Sequence, residues 1–98
     1  MAAEYRRKIS AEEVKDRYII ILKDSLELFP KIGKMFRLKV KDAELETRIE
    51  TMERWSLGPK KPQIIYKIDA EKFWAMFPLH FGKSVSIKKE SDDLYVLS

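Results

Sequence analysis

The chain has 98 residues, with 20 Lys and Arg against 16 Asp and Glu, one histidine, no cysteine and 45% hydrophobic residues. This length predicts one domain with a single core, and the lack of cysteine excludes disulfides, thiolate zinc sites and cysteine nucleophiles. A net charge of +4 permits contact with nucleic acid or an anionic membrane without requiring either. No apolar run approaches the ~20 residues of a membrane span, and none of signal-peptide type follows the basic residues 6–8. Since the lack of cysteine also fits a reducing compartment, we expect a cytoplasmic protein.

The N-terminal residues 1–9 are predicted to form a flexible arm in front of one domain over residues 10–98. Ser10 opens that domain as the first residue of a capping box. Its hydroxyl can accept a hydrogen bond from the amide of Glu13, and the Glu13 carboxylate can accept one from the backbone of Ser10. The sequence therefore predicts that a helix begins directly after Ser10.

The residues behind this cap repeat with helical spacing. They predict one helix over residues 11–29, because apolar side chains recur every three or four positions and Pro30 stops the pattern. The alternative is a strand over residues 18–22, since consecutive isoleucines favour extended backbone. The apolar positions that define the helical pattern are Val14, Tyr18, Ile21, Leu22, Leu26 and Phe29.

The chain from residue 34 onwards changes to a period of two. Apolar and charged residues alternate over 36–40 and again over 44–50, which predicts a hairpin with one buried face and one wet face. If its turn pairs Lys41 with Glu44, then Lys39 faces Glu46. Such opposite-charge pairs stabilise neighbouring strands, so the basic and acidic residues of this hairpin are expected to pair with one another.

The C-terminal half completes the predicted fold. Residues 63–68 form a third strand, Asp69 caps a second helix, and residues 83–90 and 94–97 form a last hairpin. The order is α-β-β-β-α-β-β. It predicts an α+β domain in which two helices pack on one face of an antiparallel sheet of about five strands. The buried face of the second helix carries Phe73, Met76 and Phe77.

The sequence contains no recognisable catalytic constellation. Its one histidine, His80, lies in a connector, and nucleophilic catalysis needs a base beside a hydroxyl or thiol. Three isolated glycines cannot make a phosphate-binding loop. Among the clustered acids Glu44, Glu46, Glu50 and Glu53, alternation places the first three on the solvent-exposed face of one strand, beside basic neighbours. We therefore expect a protein that is not an enzyme and that holds no metal or cofactor.

Two basic segments make nucleic acid a candidate partner. Residues 31–41 contain five basic residues and no acidic one, and residues 54–67 contain four and no acidic one. The second segment includes a loop with two prolines and a glycine. Lysines in such a loop can reach phosphates, and a tryptophan can stack on a base. The predicted contacts are Arg54, Trp55, Lys60 and Lys61.

Two other stretches resemble the sterol-carrier-protein type 2 family of lipid-binding domains. They are Leu28–Val40, sequence LFPKIGKMFRLKV, and Lys61–Phe73, sequence KPQIIYKIDAEKF. The resemblance covers residues 22–77 and implies an apolar tunnel between sheet and helices that holds a lipid, fatty acyl chain or sterol-like molecule. Carried over to this chain, the tunnel would be lined by Tyr18, Leu22, Leu26, Phe36, Leu38, Ile65, Phe73 and Phe77.

A second resemblance is to cradle-loop barrels of the AbrB type. It depends on the closing sequence Gly82–Ile87 and on an internal echo, in which the Phe-Pro at residues 29–30 recurs at residues 77–78, each followed by a Gly-Lys pair. Two functional hypotheses therefore stand after the sequence. The first is a binding module for an apolar ligand, and the second is a small basic nucleic-acid-binding domain.

Overall fold

The computed structural model describes residues 3–54 and 63–98. Within these residues the chain forms eight strands, one short α-helix and two 3-10 turns. In chain order the elements are β1 (Glu4–Lys8), α1 (Ala11–Asp16), β2 (Tyr18–Ile21), a 3-10 turn (Lys23–Leu28), β3 (Phe36–Val40), β4 (Ala43–Thr47), β5 (Glu50–Arg54), β6 (Gln63–Asp69), a second 3-10 turn (Glu71–Phe73), β7 (Ser84–Ser91) and β8 (Leu94–Leu97).

The strands form two sheets. The larger has five strands in the order β1-β7-β8-β3-β4, and the smaller has three in the order β2-β6-β5. Neighbouring strands are antiparallel except β3 and β8, which run parallel. The predicted α+β fold, with two helices packed on one face of a five-stranded sheet, is therefore wrong. Of the residues assigned to those helices, only Ala11–Asp16 form an α-helix, and the rest include β2 and the two short 3-10 turns.

The helix predicted over 11–29 ends after one and a half turns. The capping box of Ser10 and Glu13 is present as predicted, but Arg17 adopts a left-handed conformation with φ of 57° and ends α1. Residues 18–21 then form β2, which confirms the alternative interpretation. All four of its side chains are buried: Ile19 and Ile21 join the main core, whereas Tyr18 and Ile20 join a smaller cluster on the opposite face.

Four of the predicted strands are confirmed, at residues 36–40, 63–68, 83–90 and 94–97. The segment 44–50, predicted as one strand, is divided between β4 and β5 in different sheets, and the register of the first hairpin differs. The first hairpin pairs β3 with β4, but Lys39 faces Glu44 and Arg37 faces Glu46. The turn has the expected two residues but lies one residue earlier, at Lys41 and Asp42, because Lys41 takes the positive φ of 54° that such a turn requires. Strand β6 and the closing β7–β8 hairpin lie where the alternation placed them.

The segment 1–9, predicted as an arm, contains β1, which pairs along its whole length with β7. Tyr5 is buried and Arg6 is exposed, so this strand also alternates between a core face and a wet face. This alternation is not evident from the sequence, because Tyr5 is the one apolar residue of the strand and the other four are charged. The partner strand, rather than local hydrophobicity, orders these residues.

The main core lies between the two sheets and is filled with aromatic rings. Phe36 packs 4.9 Å from Tyr95 between ring centroids, and Phe29 stacks on Tyr95 at 5.2 Å. The Tyr95 hydroxyl donates a hydrogen bond to the carbonyl of Leu28 at 2.7 Å. Tyr5 meets Phe29 edge-on at 6.0 Å. These rings occupy the space in which the sequence placed an apolar tunnel.

Candidate nucleic-acid interface

A buried carboxylate joins the edge strands of the two sheets. Glu13 is fully buried, and both of its carboxylate oxygens accept from the Nε of Arg7, at 3.0 and 2.9 Å. The backbone N–H groups of Ser10 and Ile20 also donate to it, at 2.9 and 2.7 Å. Tyr5 adds a hydrogen bond to the carbonyl of Ile20 at 2.7 Å. These contacts fix β1 and α1 against β2.

A groove of about 870 Å³ lies beside this junction. We call it the Arg54 groove. Three cations and one carboxylate line it, and the buried Glu13 carboxylate compensates one of the cations, Arg7. The charge balance of its walls is therefore mildly basic. Two large aliphatic side chains in it are about half exposed, Leu22 at 52% and Ile64 at 47%. The groove is lined by Arg7, Ser10, Ala11, Glu12, residues 20–23, Arg54 and residues 63–66.

Arg54 is held in the groove wall by two partners. Its Nη1 donates to Glu12 at 2.6 Å, and its Nη2 donates to the side-chain oxygen of Gln63 at 2.8 Å. The Tyr18 hydroxyl also hydrogen-bonds to Glu12. Because Arg54 and Gln63 are the ends of neighbouring strands β5 and β6, this guanidinium is positioned by paired backbone. A planar guanidinium positioned in this way suits phosphate recognition.

The same contacts shift two ionisation equilibria. The Tyr18 hydroxyl and then the Arg54 guanidinium stabilise the charged form of Glu12, which lowers the pKa of that carboxyl below its usual range. Burial, and then the neighbouring Glu12 carboxylate, raise the pKa of Tyr18. Glu12 therefore stays ionised at neutral pH and holds Arg54 in place.

Acidification is expected to weaken this part of the fold. A group whose pKa is lower in the folded state contributes stability that is complete above its unfolded pKa, about 4.3 for glutamate, and is lost as the pH falls through the folded value. We therefore expect the free energy of unfolding to fall below about pH 4. The fall should be shallower in Glu12→Gln, as measured by urea unfolding at several pH values. Equal slopes in both proteins would contradict the assignment.

The apolar residues predicted to line one tunnel are divided among different places. Phe36, Leu38, Phe73 and Phe77 belong to the main core, and Leu26 packs against it. Tyr18 and Ile65 lie in the smaller cluster on the far face of the three-stranded sheet. That sheet separates the two groups, and Leu22 is largely exposed in the Arg54 groove. The structure therefore does not bring these eight residues together around a ligand.

Of the predicted nucleic-acid contacts, Arg54 lies in the groove. Trp55, Lys60 and Lys61 fall outside the described residues. The groove also contains Arg7, Lys23 and Ile64, which were not among the predicted contacts. A signal existed for Arg7 in the basic run of residues 6–8, but that run was assigned to a flexible arm.

Scans against protein-family models and curated proteins gave no match. Two solved structures share the fold over nearly the whole chain. FUS3 from Arabidopsis, solved in complex with DNA, has a TM-score of 0.66 and 16% identity, and the alignment covers 95% of this chain and 92% of the FUS3 chain in that structure. The N-terminal domain of LlaJI.R1 from Helicobacter pylori has a TM-score of 0.62 and 15% identity, with 97% and 84% covered.

These likenesses correct the lipid-binding interpretation. They extend over 95% and 97% of the chain, whereas the sterol-carrier resemblance covers residues 22–77 and requires two helices packed on one sheet. The sterol-carrier and lipid-binding assignment is therefore wrong. Among residues 3–54 and 63–98, no helix is long and apolar enough to cross a membrane.

Proposed function

We propose that this domain binds nucleic acid through the Arg54 groove and catalyses no reaction on it. The observation that carries the proposal is the composition of the groove, in which cations stand beside exposed aliphatic side chains. A nucleic acid can contact both kinds of side chain, because its backbone is a polyanion and its bases have apolar edges. The fold it shares with FUS3, which was solved with DNA, supports the same partner. The only histidine, His80, is exposed and does not line the groove.

The groove offers the three kinds of contact that nucleic acids require. Arg54 and Lys23 can pair with backbone phosphates, which supply most of the affinity. The Ser10 hydroxyl and the Gln63 amide can hydrogen-bond to phosphate, sugar or base edges. Leu22 and Ile64 can contact the apolar parts of bases, including the methyl group of thymine. The net charge of +4 favours the encounter.

Fluorescence anisotropy with three labelled probes tests the proposal. The probes are a DNA duplex of about 16 base pairs, one of its strands alone, and the RNA duplex of the same sequence. Binding to at least one probe should weaken linearly in a plot of log K against log salt concentration, with a slope near −0.9 for each phosphate contacted on B-DNA. Lack of binding to all three probes at low salt would refute the function.

Charge removal in the groove should weaken binding. We expect Arg54→Gln combined with Lys23→Gln to lower the affinity for the bound probe by about tenfold and to make the salt slope shallower by about 1.8, because two phosphate contacts are lost. The matched control is Lys31→Gln with Lys34→Gln, which removes two exposed lysines that do not line this groove. Equal effects of the two pairs would place the interface elsewhere.

The segment that connects Arg54 to Gln63 contains Trp55, Lys60 and Lys61. Arg54 and Gln63 both line the groove. We expect Lys60→Glu with Lys61→Glu to weaken binding in the same assay and to make its salt slope shallower. Unchanged binding would restrict the interface to the Arg54 groove itself.

A further inference from the structure

A second concave surface, of about 600 Å³, lies on the outer face of the five-stranded sheet. It forms where β1 pairs with β7. Lys8 faces Ser84, and Arg6 faces Ser86, across the two strands. Arg6, Lys8, Ser84 and Lys88 are exposed. We call this surface the serine–lysine face and define it as Glu4, Arg6, Lys8, Ser84, Ser86 and Lys88.

The chemistry of this face suits a row of phosphates. Lysine, arginine and serine side chains are among the groups that hydrogen-bond to the nucleic-acid backbone. Alternate residues of a strand project from the same face about 6.8 Å apart, and neighbouring strands lie about 4.8 Å apart. Arg6 and Lys8 on β1 and Lys88 on β7 thus form a small array of cations, with the hydroxyls of Ser84 and Ser86 between them.

One carboxylate interrupts this array. Glu4 accepts hydrogen bonds from the Nε of Arg6 and, at 2.8 Å, from the hydroxyl of Ser86. Arg6 is nevertheless 82% exposed and projects into solvent. The pair therefore lies on the surface, where an ion pair contributes little to stability and can exchange for another anion.

The face is continuous with the Arg54 groove. Arg7 lines both concavities, because β1 is the edge strand of its sheet and forms the ridge between them. The Arg7 guanidinium is fixed by the buried carboxylate of Glu13 at 2.9 Å. The ridge is thus rigid, and basic side chains are found on both of its sides.

We propose that the nucleic-acid backbone continues from the Arg54 groove over β1 onto the serine–lysine face, where Arg6, Lys8 and Lys88 bind its phosphates. This inference rests on the proposed function and extends its footprint to a second sheet. The contacts there are to the sugar–phosphate backbone, so they add affinity without sequence preference.

The test measures the binding of the double variant Lys8→Gln with Lys88→Gln to a DNA duplex of about 16 base pairs. At 3.4 Å per base pair this duplex is about 54 Å long, which exceeds the 43 Å length of the protein. We expect affinity to fall about tenfold and the salt slope to become shallower by about 1.8. The control is again Lys31→Gln with Lys34→Gln. A change no larger than that of the control overturns the inference.

The two proposals can fail separately. If Arg54→Gln with Lys23→Gln weakens binding while Lys8→Gln with Lys88→Gln does not, the function stands and the extended footprint is refuted. If the wild-type protein binds none of the three probes, both are refuted.

A gain of affinity provides an independent test. Glu4→Gln removes the carboxylate that repels phosphate and releases Arg6, so we expect it to tighten duplex binding several-fold. Glu71→Gln is the control, since Glu71 is an exposed glutamate at the start of a 3-10 turn and lines neither concavity. Unchanged or weaker binding in Glu4→Gln, relative to this control, would contradict a phosphate at the serine–lysine face.

Discussion

Replacing Glu13 by glutamine is expected to lower the free energy of unfolding by about 3–5 kcal/mol, since removing one partner of a buried ion pair leaves the other charge uncompensated. Glu13 is fully buried and Arg7 is partly buried, with 18% of its side chain exposed. The amide of glutamine offers one acceptor oxygen where the carboxylate offers two. It cannot serve Arg7 and the backbone N–H groups of Ser10 and Ile20 together.

Urea unfolding followed by circular dichroism measures this change. Glu71→Gln makes the same substitution at an exposed position and should shift the free energy of unfolding by no more than about 0.5 kcal/mol. Pairing Glu13→Gln with Arg7→Met should recover part of the loss, because the unpaired cation is then removed. If Glu13→Gln were as mild as Glu71→Gln, the buried network would not be what joins β1 to β2.

Truncating Phe36 to alanine should cost a similar amount, about 3–5 kcal/mol, because a buried ring is replaced by a cavity. Phe36 is only 2% exposed. It contacts both Phe29 and Tyr95 in the aromatic cluster between the sheets, with centroid distances of 6.2 and 4.9 Å. The loss includes the transfer of the ring from water and the ring–ring contacts, which add about 0.5–1.5 kcal/mol per pair.

The chain supplies its own control for this substitution. Phe81 is 75% exposed, so Phe81→Ala should change the free energy of unfolding by no more than about 0.5 kcal/mol. Thermal unfolding of the two variants beside the wild type gives the comparison. Similar midpoints for both would mean that the space around Phe36 is not the packed centre of the domain.

Both stability predictions concern the candidate interface as well. Glu13 fixes the ridge between the Arg54 groove and the serine–lysine face, and the aromatic cluster lies between the sheets that carry these surfaces. The groove depends on distant parts of the chain, since Glu12 and Arg54 are 42 positions apart in sequence and meet only in the folded state. Its geometry is therefore a property of sheet pairing and not of any one segment.

The local pattern of the sequence determined several elements. Alternation of apolar and charged residues located β3, β6 and the β7–β8 hairpin, because a strand with one wet face carries that pattern wherever it pairs. The capping box placed the start of α1, since its hydrogen bonds join residues only three apart. Arg54 could be identified as a candidate contact because it opens a segment without acidic residues.

The pairing of the strands was decided by the tertiary structure. β2 is buried on both faces, so its side chains lack alternation and imitate a helix. β1 is nearly all charged and forms a strand because its backbone pairs with that of β7. A period of two specifies which side chains share a face, but it does not specify which strand lies beside which. That choice made two sheets where the sequence predicted one, and it placed basic residues from both ends of the chain around β1.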